Sequence, residues 1–325
     1  MYRDVLSLFW EAGNGRYKMP EITGSEMKRI FYFNITYGCN SNCIFCYSHN
    51  TRHSGEPYNE MPVGQFFEYL NGNALSADDR VIINGGEPFV HTDIEKLLGG
   101  LIPYGCEVLV YTNGRLAADF DLSRLNRNFR FVIPVHGYEE IHDRITGVKG
   151  SYGETLRGLK SLVENTDCPV DVKLIVNHKL VSEDSDGART IQAFENGILS
   201  NHAIHLTKMA DTVVSQRNGC RTVTNGEASR LTQIFFDYFR KRQIKIKIFD
   251  NCIKSMEWMK DCRPEKYRDG IEVYFKDRNQ YRVLSPAGKA PDCRKGCPFA
   301  DKCISAVDTY KVLEFFDNKL YENLE

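Results

Sequence analysis

Residues 30–46 read Ile30-Phe-Tyr-Phe-Asn-Ile-Thr36-Tyr-Gly-Cys39-Asn-Ser-Asn-Cys43-Ile-Phe-Cys46. Ile30–Thr36 is mostly aromatic and β-branched, which predicts a buried strand. A C-x3-C-x2-C triplet follows it directly, so three thiolates share one loop at a strand end. That spacing suits three irons of a cubane and leaves the fourth iron without a protein ligand. A cluster held by four cysteines mainly moves electrons, whereas an open iron can bind a small molecule. The competing reading is zinc, but a structural zinc takes four ligands, usually from C-x2–4-C pairs. The loop holds no fourth cysteine, and His49 and His53 are loose substitutes.

Working outward, short apolar runs alternate with amphipathic stretches from Ile30 to about Met209, the pattern of repeated βα units. Candidate strands are Ile30–Thr36, Arg80–Ile83, Glu107–Tyr111, Phe129–Val135, Asp171–Val176 and Ala203–Leu206. Helical stretches between them include Gly64–Leu70, Asp93–Leu98, Gly153–Val163 and Ala188–Phe194. Cys39–Cys46, Gly85–Glu87, Thr112–Gly114 and His136–Gly137 each follow a strand. Barrels of βα units gather their catalytic groups at such strand ends. Glu227–Gln243 reads as a further amphipathic helix, with Leu231, Ile234, Phe235 and Tyr238 on one face. Ile244–Phe249 alternates as a half-buried strand. Gly270–Leu284 reads as a hairpin turning near Asp277–Asn279, and Tyr310–Leu324 as a second hairpin. The expected division is an N-terminal extension over 1–29, a core over 30–225 and a C-terminal region over 226–325.

The triplet resembles the signature of the radical S-adenosylmethionine (radical SAM) superfamily, and Phe45 before the last cysteine fits the same form. Asn84-Gly85-Gly86-Glu87-Pro88 strengthens the resemblance. Its glycines let backbone approach a ligand closely, and its carboxylate can take the ammonium of an amino acid. The resemblance implies a partial (β/α)6 TIM-like barrel with a small C-terminal α+β domain. It also implies a SAM-binding [4Fe–4S] cluster on Cys39, Cys43 and Cys46, with Gly85, Gly86 and Glu87 holding the amino group of SAM. His136-Gly137 followed by His142-Asp-Arg144 resembles the segment after the fourth strand in relatives with C-terminal clusters. Arg144 is then the candidate partner of the SAM carboxylate, as opposed to a solvated surface arginine. Where relatives often place a serine, this chain has His136, which makes it the candidate polar contact. Phe45, Thr112, Asn113 and Asn177 complete the implied SAM pocket, although an Asn-Gly turn explains Asn113-Gly114 nearly as well.

A second cysteine group, Cys293, Cys297 and Cys303 after Gly288, resembles the Twitch auxiliary-cluster domain, a shortened relative of SPASM. It implies one auxiliary [4Fe–4S] cluster, with Cys262 as the fourth ligand and Cys252 competing. A structural zinc on the same thiolates is the alternative. Cys106 and Cys168, beside strands, read as small apolar filler. Cys220 and Cys252 are candidate hydrogen-atom donors to a substrate radical.

The resemblance implies reductive cleavage of SAM to a 5′-deoxyadenosyl radical and abstraction of hydrogen from a C–H bond. The electron would come from a reductase such as flavodoxin or ferredoxin. The expected substrate is a ribosomal peptide, for crosslinking, oxidation or epimerisation. A sugar, aminoglycoside or nucleoside natural product is the alternative, favoured by the lack of a visible leader-peptide-binding domain before the barrel. A non-catalytic iron–sulfur or zinc protein would require the strand-end placement of both motifs to be accidental. The chain of 325 residues carries 42 basic and 43 acidic side chains, a net charge of −1 that gives no electrostatic grip on nucleic acid. Met1–Phe9 holds no long apolar stretch, so neither signal peptide nor membrane anchor is expected. Eleven cysteines fit metal ligation in a reducing cytoplasm better than disulfides.

Overall fold

The computed structural model describes residues 30–46 and 60–181 continuously. Beyond these it describes 189–190, 192, 203–209, 215, 218–220, 223, 235, 238, 246–248, 271–277 and 280–284. Six strands follow one another in chain order: β1 (Ile30–Asn34), β2 (Arg80–Asn84), β3 (Glu107–Tyr111), β4 (Phe129–Pro134), β5 (Val170–Val176) and β6 (Ala203–Lys208). Each pairs in parallel with the next, from Ile30 opposite Arg80 in the first pair to Val176 opposite Lys208 in the last. Parallel neighbours need a crossover, and α-helices lie in each one except the β3–β4 connection, which has only the short 3-10 turn Ala117–Asp119. The helices are α1 (Val63–Gly72), α2 (Ile94–Leu101), α3 (Glu139–Thr146), α4 (Ser151–Asn165) and the short α5 (His178–Val181). This is the partial (β/α)6 barrel expected from the sequence.

Burial alternates along the strands because successive side chains face opposite sides of a sheet. Val81, Ile83, Val108, Val110, Phe131, Ile133, Val172 and Leu174 lie buried in the hydrophobic core that α1, α2 and α4 also enter. Phe33 meets Phe66 of α1 at 4.5 Å between ring centroids. The opposite face alternates polar groups, among them Arg80, Asn84, Glu107, Arg130, Asp171 and Lys173, with apolar ones, Ile82, Leu109, Val132, Pro134 and Ile175. Near the starts of the strands this face is bridged by ion pairs. Arg80 meets Glu107 at 2.6 Å, and Asp171 receives Arg130 at 2.9 Å and the His205 ring at 2.8 Å.

The sheet continues past the barrel strands. β7 (Ile246–Ile248) adds in parallel to β6, within the predicted strand Ile244–Phe249. β8 (Ile271–Asp277) and β9 (Gln280–Leu284) form the predicted antiparallel hairpin, and β8 pairs in parallel with β1. The strand order is β7-β6-β5-β4-β3-β2-β1-β8-β9, so β1 is flanked on both sides. The 1–29 extension, the hairpin at 310–324 and Cys252, Cys262, Cys293, Cys297 and Cys303 lie outside the described residues. Among the described residues, no helix is long and apolar enough to cross a membrane.

The sequence reading had no helix at Glu139–Thr146. Only Ile141 and Ile145 mark its inner face as apolar, and the other buried positions there are His142 and Thr146. A face built half from buried polar residues erases the hydrophobic period. α4 is seated by Gly158, where a Cβ would lie 1.7 Å from the Gly114 carbonyl oxygen. Gly→Ala within a helix normally stabilises by about 1 kcal/mol. Here Gly158→Ala is expected to destabilise by about 2–3 kcal/mol through overpacking, read as a lower urea midpoint. A midpoint raised by the substitution would show that α4 does not rest on that carbonyl.

Candidate active site

The chain leaving β1 is zipped to the chain leaving β2. Ile35 N–H donates to the Asn84 carbonyl at 2.9 Å, Gly86 N–H to Thr36 at 2.8 Å and Glu87 N–H to Gly38 at 2.7 Å. A Cβ on Gly85, at φ +148°, would sit 2.3 Å from the Thr36 oxygen, and one on Gly86 2.1 Å from the Gly38 oxygen. Both glycines are therefore required by the neighbouring loop itself, whereas the sequence reading gave their role to a ligand.

Glu87 is 1% exposed and its carboxylate is held on both oxygens. Oε1 accepts from Phe89 N–H at 3.0 Å and from the Thr112 hydroxyl at 2.6 Å, and Oε2 from Asn113 N–H at 2.7 Å. Burial raises its pKa above the ordinary value, against the lowering effect of those three bonds and of Arg115. Glu87 thus ties the ends of β1, β2 and β3 together. Thr112 and Asn113, expected at the SAM pocket, stand in this network. Asn113 also reaches Asn40 Oδ1 at 2.7 Å through its own amide.

Asn40 and Ser41 lie between the first two cysteines. Cys39, Cys43 and Cys46 are half-exposed and none is in a disulfide. Cys46 N–H closes a turn onto the Cys43 carbonyl at 3.0 Å, and Ser41 N–H points at the Cys39 sulfur at 3.4 Å. On its other side the loop completes α3. Asn42 N–H donates to Thr146 O at 2.7 Å and Ile44 N–H to Ile145 O at 2.9 Å. The last carbonyls of a helix have no partner within it, and here the cysteine loop supplies the donors. Gly147, at φ +68°, passes so close that a Cβ would lie 2.8 Å from the Asn42 oxygen.

Phe45 packs edge-on to His136 at 5.2 Å between ring centroids, and His136 lies 5.4 Å from the His142 ring. His136 N–H donates to His142 Nδ1 at 3.2 Å, so the neutral His142 ring carries its proton on Nε2. His136 Nδ1 and His142 Nε2 are buried with no hydrogen-bond partner among the described residues. Burial chiefly drives both rings toward neutrality. It lowers His136 well below the usual histidine value and His142 to about 4.

The remaining candidates separate. Arg144 is exposed on α3. Asn177 is fully buried, donating to Ile175 O at 2.9 Å and accepting from Lys179 N–H at 3.0 Å. Cys220 is fully buried with its sulfur 3.7 Å from that of Met209. Cys106 and Cys168 are part of the core, and burial pushes the Cys106 thiol up to about 11. Arg115 and Glu154 were missed. Arg115 is buried and pairs with Glu154 of α4 at 2.6 Å, and nothing in the spacing of two residues 39 apart signals such a pair.

Among the described residues, no three His, Cys, Asp or Glu side chains converge on a single ion position. Three half-exposed thiols on one loop, none tied up in a disulfide, are a donor set that suits an iron–sulfur cluster. The unpartnered His136 nitrogen beside Phe45 likewise leaves a polar group for a bound ligand to meet.

Residues 33–175 match the Radical SAM superfamily, and the chain carries a radical SAM domain that contains the β1, β2, β3 and α3 loops described above. The AdoMet-dependent heme synthase of Methanosarcina barkeri is 23% identical over 259 residues, covering 78% of this chain and 70% of its own. The sporulation killing factor maturation protein SkfB of Bacillus subtilis is 28% identical over 155 residues, covering 47% and 37%. Among solved structures, Streptococcus suis SuiB bound to S-adenosylmethionine superposes with a TM-score of 0.55 at 12% identity, covering 80% of this chain and 63% of that one. The anSMEcpe structure with bound AdoMet and Cp18Cys peptide gives 0.52 at 15%, covering 68% and 64%. Those two likenesses show the fold. The chain spans less than two thirds of both solved chains and little more than a third of SkfB.

The buried histidines make stability pH-dependent. The unfolded His142 binds its proton near pH 6.5 and the folded one only near pH 4. Stability is thus full above pH 6.5 and falls as pH drops toward 4, by on the order of 2–3 kcal/mol from this group. His142→Gln keeps an acceptor for His136 N–H and is expected to flatten urea midpoints measured from pH 7 to pH 4. An unchanged slope would place the titration elsewhere.

Proposed function

We propose that this radical SAM enzyme abstracts a hydrogen atom from a peptide substrate, in crosslinking, oxidation or epimerisation. The observation that carries the reading is the cysteine loop. It is fixed to the ends of β1, β2 and β3 and to α3, so its thiols stand at the C-terminal mouth of the barrel. When bound there, a [4Fe–4S] cluster and SAM supply the reductive cleavage that yields a 5′-deoxyadenosyl radical. Cys39, Cys43 and Cys46 hold three irons and leave one for SAM. Phe45 and His136 form a wall beside them, and neutral His136 offers a hydrogen bond without adding a competing charge. The Gly85-Gly86 backbone and Glu87 set the rim that faces the amino acid end of SAM. Because the Glu87 carboxylate already accepts three protein hydrogen bonds, its main part is to hold that rim in shape.

Peptide substrates are supported by the kinship with SkfB and by the fold shared with SuiB and anSMEcpe. A second reading, a heme-related substrate, is supported by the M. barkeri heme synthase, which matches a larger share of both chains. Cys293, Cys297 and Cys303, with Cys262 as the fourth ligand, are proposed to hold an auxiliary [4Fe–4S] cluster. A flavodoxin or ferredoxin is proposed as the electron donor and the cytoplasm as the compartment.

Anaerobically reconstituted protein should carry about eight irons, four per cubane, and Cys39/Cys43/Cys46→Ala should lose about half of them. With dithionite and SAM it should form 5′-deoxyadenosine. A short peptide encoded beside the gene should accelerate that formation. The peptide should then lose a hydrogen pair or, for epimerisation, gain solvent deuterium. Acceleration by an iron porphyrin and not by peptide would overturn the peptide reading. Absence of 5′-deoxyadenosine from iron-loaded protein would overturn both.

A further inference from the structure

We propose that Arg115 is a positioning residue for the cluster, locking the Cys39–Cys43 segment and aiming the Ser41 N–H at the Cys39 sulfur. The proposal rests on the cluster-binding reading above. Arg115 is 8% exposed and its guanidinium joins three parts of the chain. Nε donates to Glu154 Oε2 on α4 at 2.6 Å. Nη1 donates to the Asn40 carbonyl and to the Ser41 hydroxyl, the latter at 3.0 Å. Its own N–H donates to Asn113 Oδ1 at 3.0 Å, and Asn113 in turn reaches Asn40. α4 anchors this arrangement independently, through Thr155 Oγ1 on the Asn113 carbonyl at 3.0 Å and through the seat of Gly158.

The consequence for the cluster follows from Ser41. Its backbone N–H meets Cys39 Sγ at 3.4 Å while its hydroxyl is held by Arg115. Hydrogen bonds to ligand sulfurs are among the factors that set the potential of an iron–sulfur cluster. They draw electron density from the sulfur and make the added electron easier to accept, and a nearby cation acts in the same direction. Arg115 supplies the cation and holds the hydrogen bond in line. Lysine cannot replace it, because a single ammonium lacks the planar fork that bonds carboxylate and loop at once.

The test compares wild type with Arg115→Met and Arg115→Lys. In the apo protein, hydrogen exchange at the amides of residues 40–44 should quicken by about tenfold in Arg115→Met, the loss of one charge-assisted bond. The amides of β2 to β5 should keep their protection. In reconstituted protein, the signal of the cluster that responds to SAM should titrate at a more negative potential in both variants. Uniformly faster exchange across the sheet would reduce Arg115 to a general stabiliser and overturn the proposal. So would exchange and potential unchanged from wild type. If Arg115→Met does not fold, Arg115→Lys, which keeps the charge and the stem, decides by the same two readouts. A wild type that takes up no cluster overturns the cluster reading, and the exchange arm then still judges the loop clamp.

Discussion

A buried carboxylate with no water must find donors in the protein or give up its charge. Glu87 finds three, from Phe89, Thr112 and Asn113, and its own N–H binds the Gly38 carbonyl. That single group makes the ends of β1, β2 and β3 interdependent. A strand-end loop elsewhere on the surface would settle its backbone with water and wander. Here each loop is the partner of another, so moving one leaves polar groups unpaired in the next. The glycines beside Glu87 belong to the same constraint, since the backbones approach more closely than any side chain would allow.

The cysteine loop extends this logic to a helix end. α3 finishes with carbonyls that lack intrahelical partners, and the loop carries N–H groups that no strand takes up. The pairing of Asn42 and Ile44 with Thr146 and Ile145 satisfies both. The thiols are therefore placed before any metal arrives, which lowers the ordering cost of cluster binding. It also sets opposing fields on the same few residues. The α3 C-terminus presents partial negative charge, which disfavours an added electron, while Arg115 and the Ser41 N–H favour it.

The architecture was legible where periodicity or a fixed spacing carried it. The strand Glu107–Tyr111 was placed to the residue, the other barrel strands to within one or two, and the hairpin around 277–279 correctly. The reasons the sequence fell short are specific. α3 hides because His142 and Thr146 occupy core positions that a hydrophobic count scores as surface. The Gly85-Gly86 turn was noticed as a place of close backbone approach, but its approach to Thr36 and Gly38 was not legible, because a sequence does not say which backbone approaches which. Arg115 and Glu154 look like ordinary surface charges until the sheet brings β3 beside the cysteine loop and α4 over it. The seat of β8 beside β1 was equally hidden, since an alternating strand carries no label for its neighbour.

The inner face of the barrel is where fold and chemistry meet. A full TIM barrel fills its interior with layers of branched apolar side chains. This one bridges the starts of its strands with Arg80–Glu107 and Arg130–Asp171–His205, and further along the same face carries the branched apolar side chains Ile82, Leu109, Val132 and Ile175. Higher up stands Lys173, 5.3 Å over the Tyr111 ring and opposite Pro134 in the β4–β5 register. Toward the strand ends Asn84, Tyr111 and Lys173 stay half-buried. The inner face thus settles its charges at the strand starts, while the loops at the strand ends are settled by the buried groups Glu87 and Arg115, so the two ends of the barrel are held by separate polar networks.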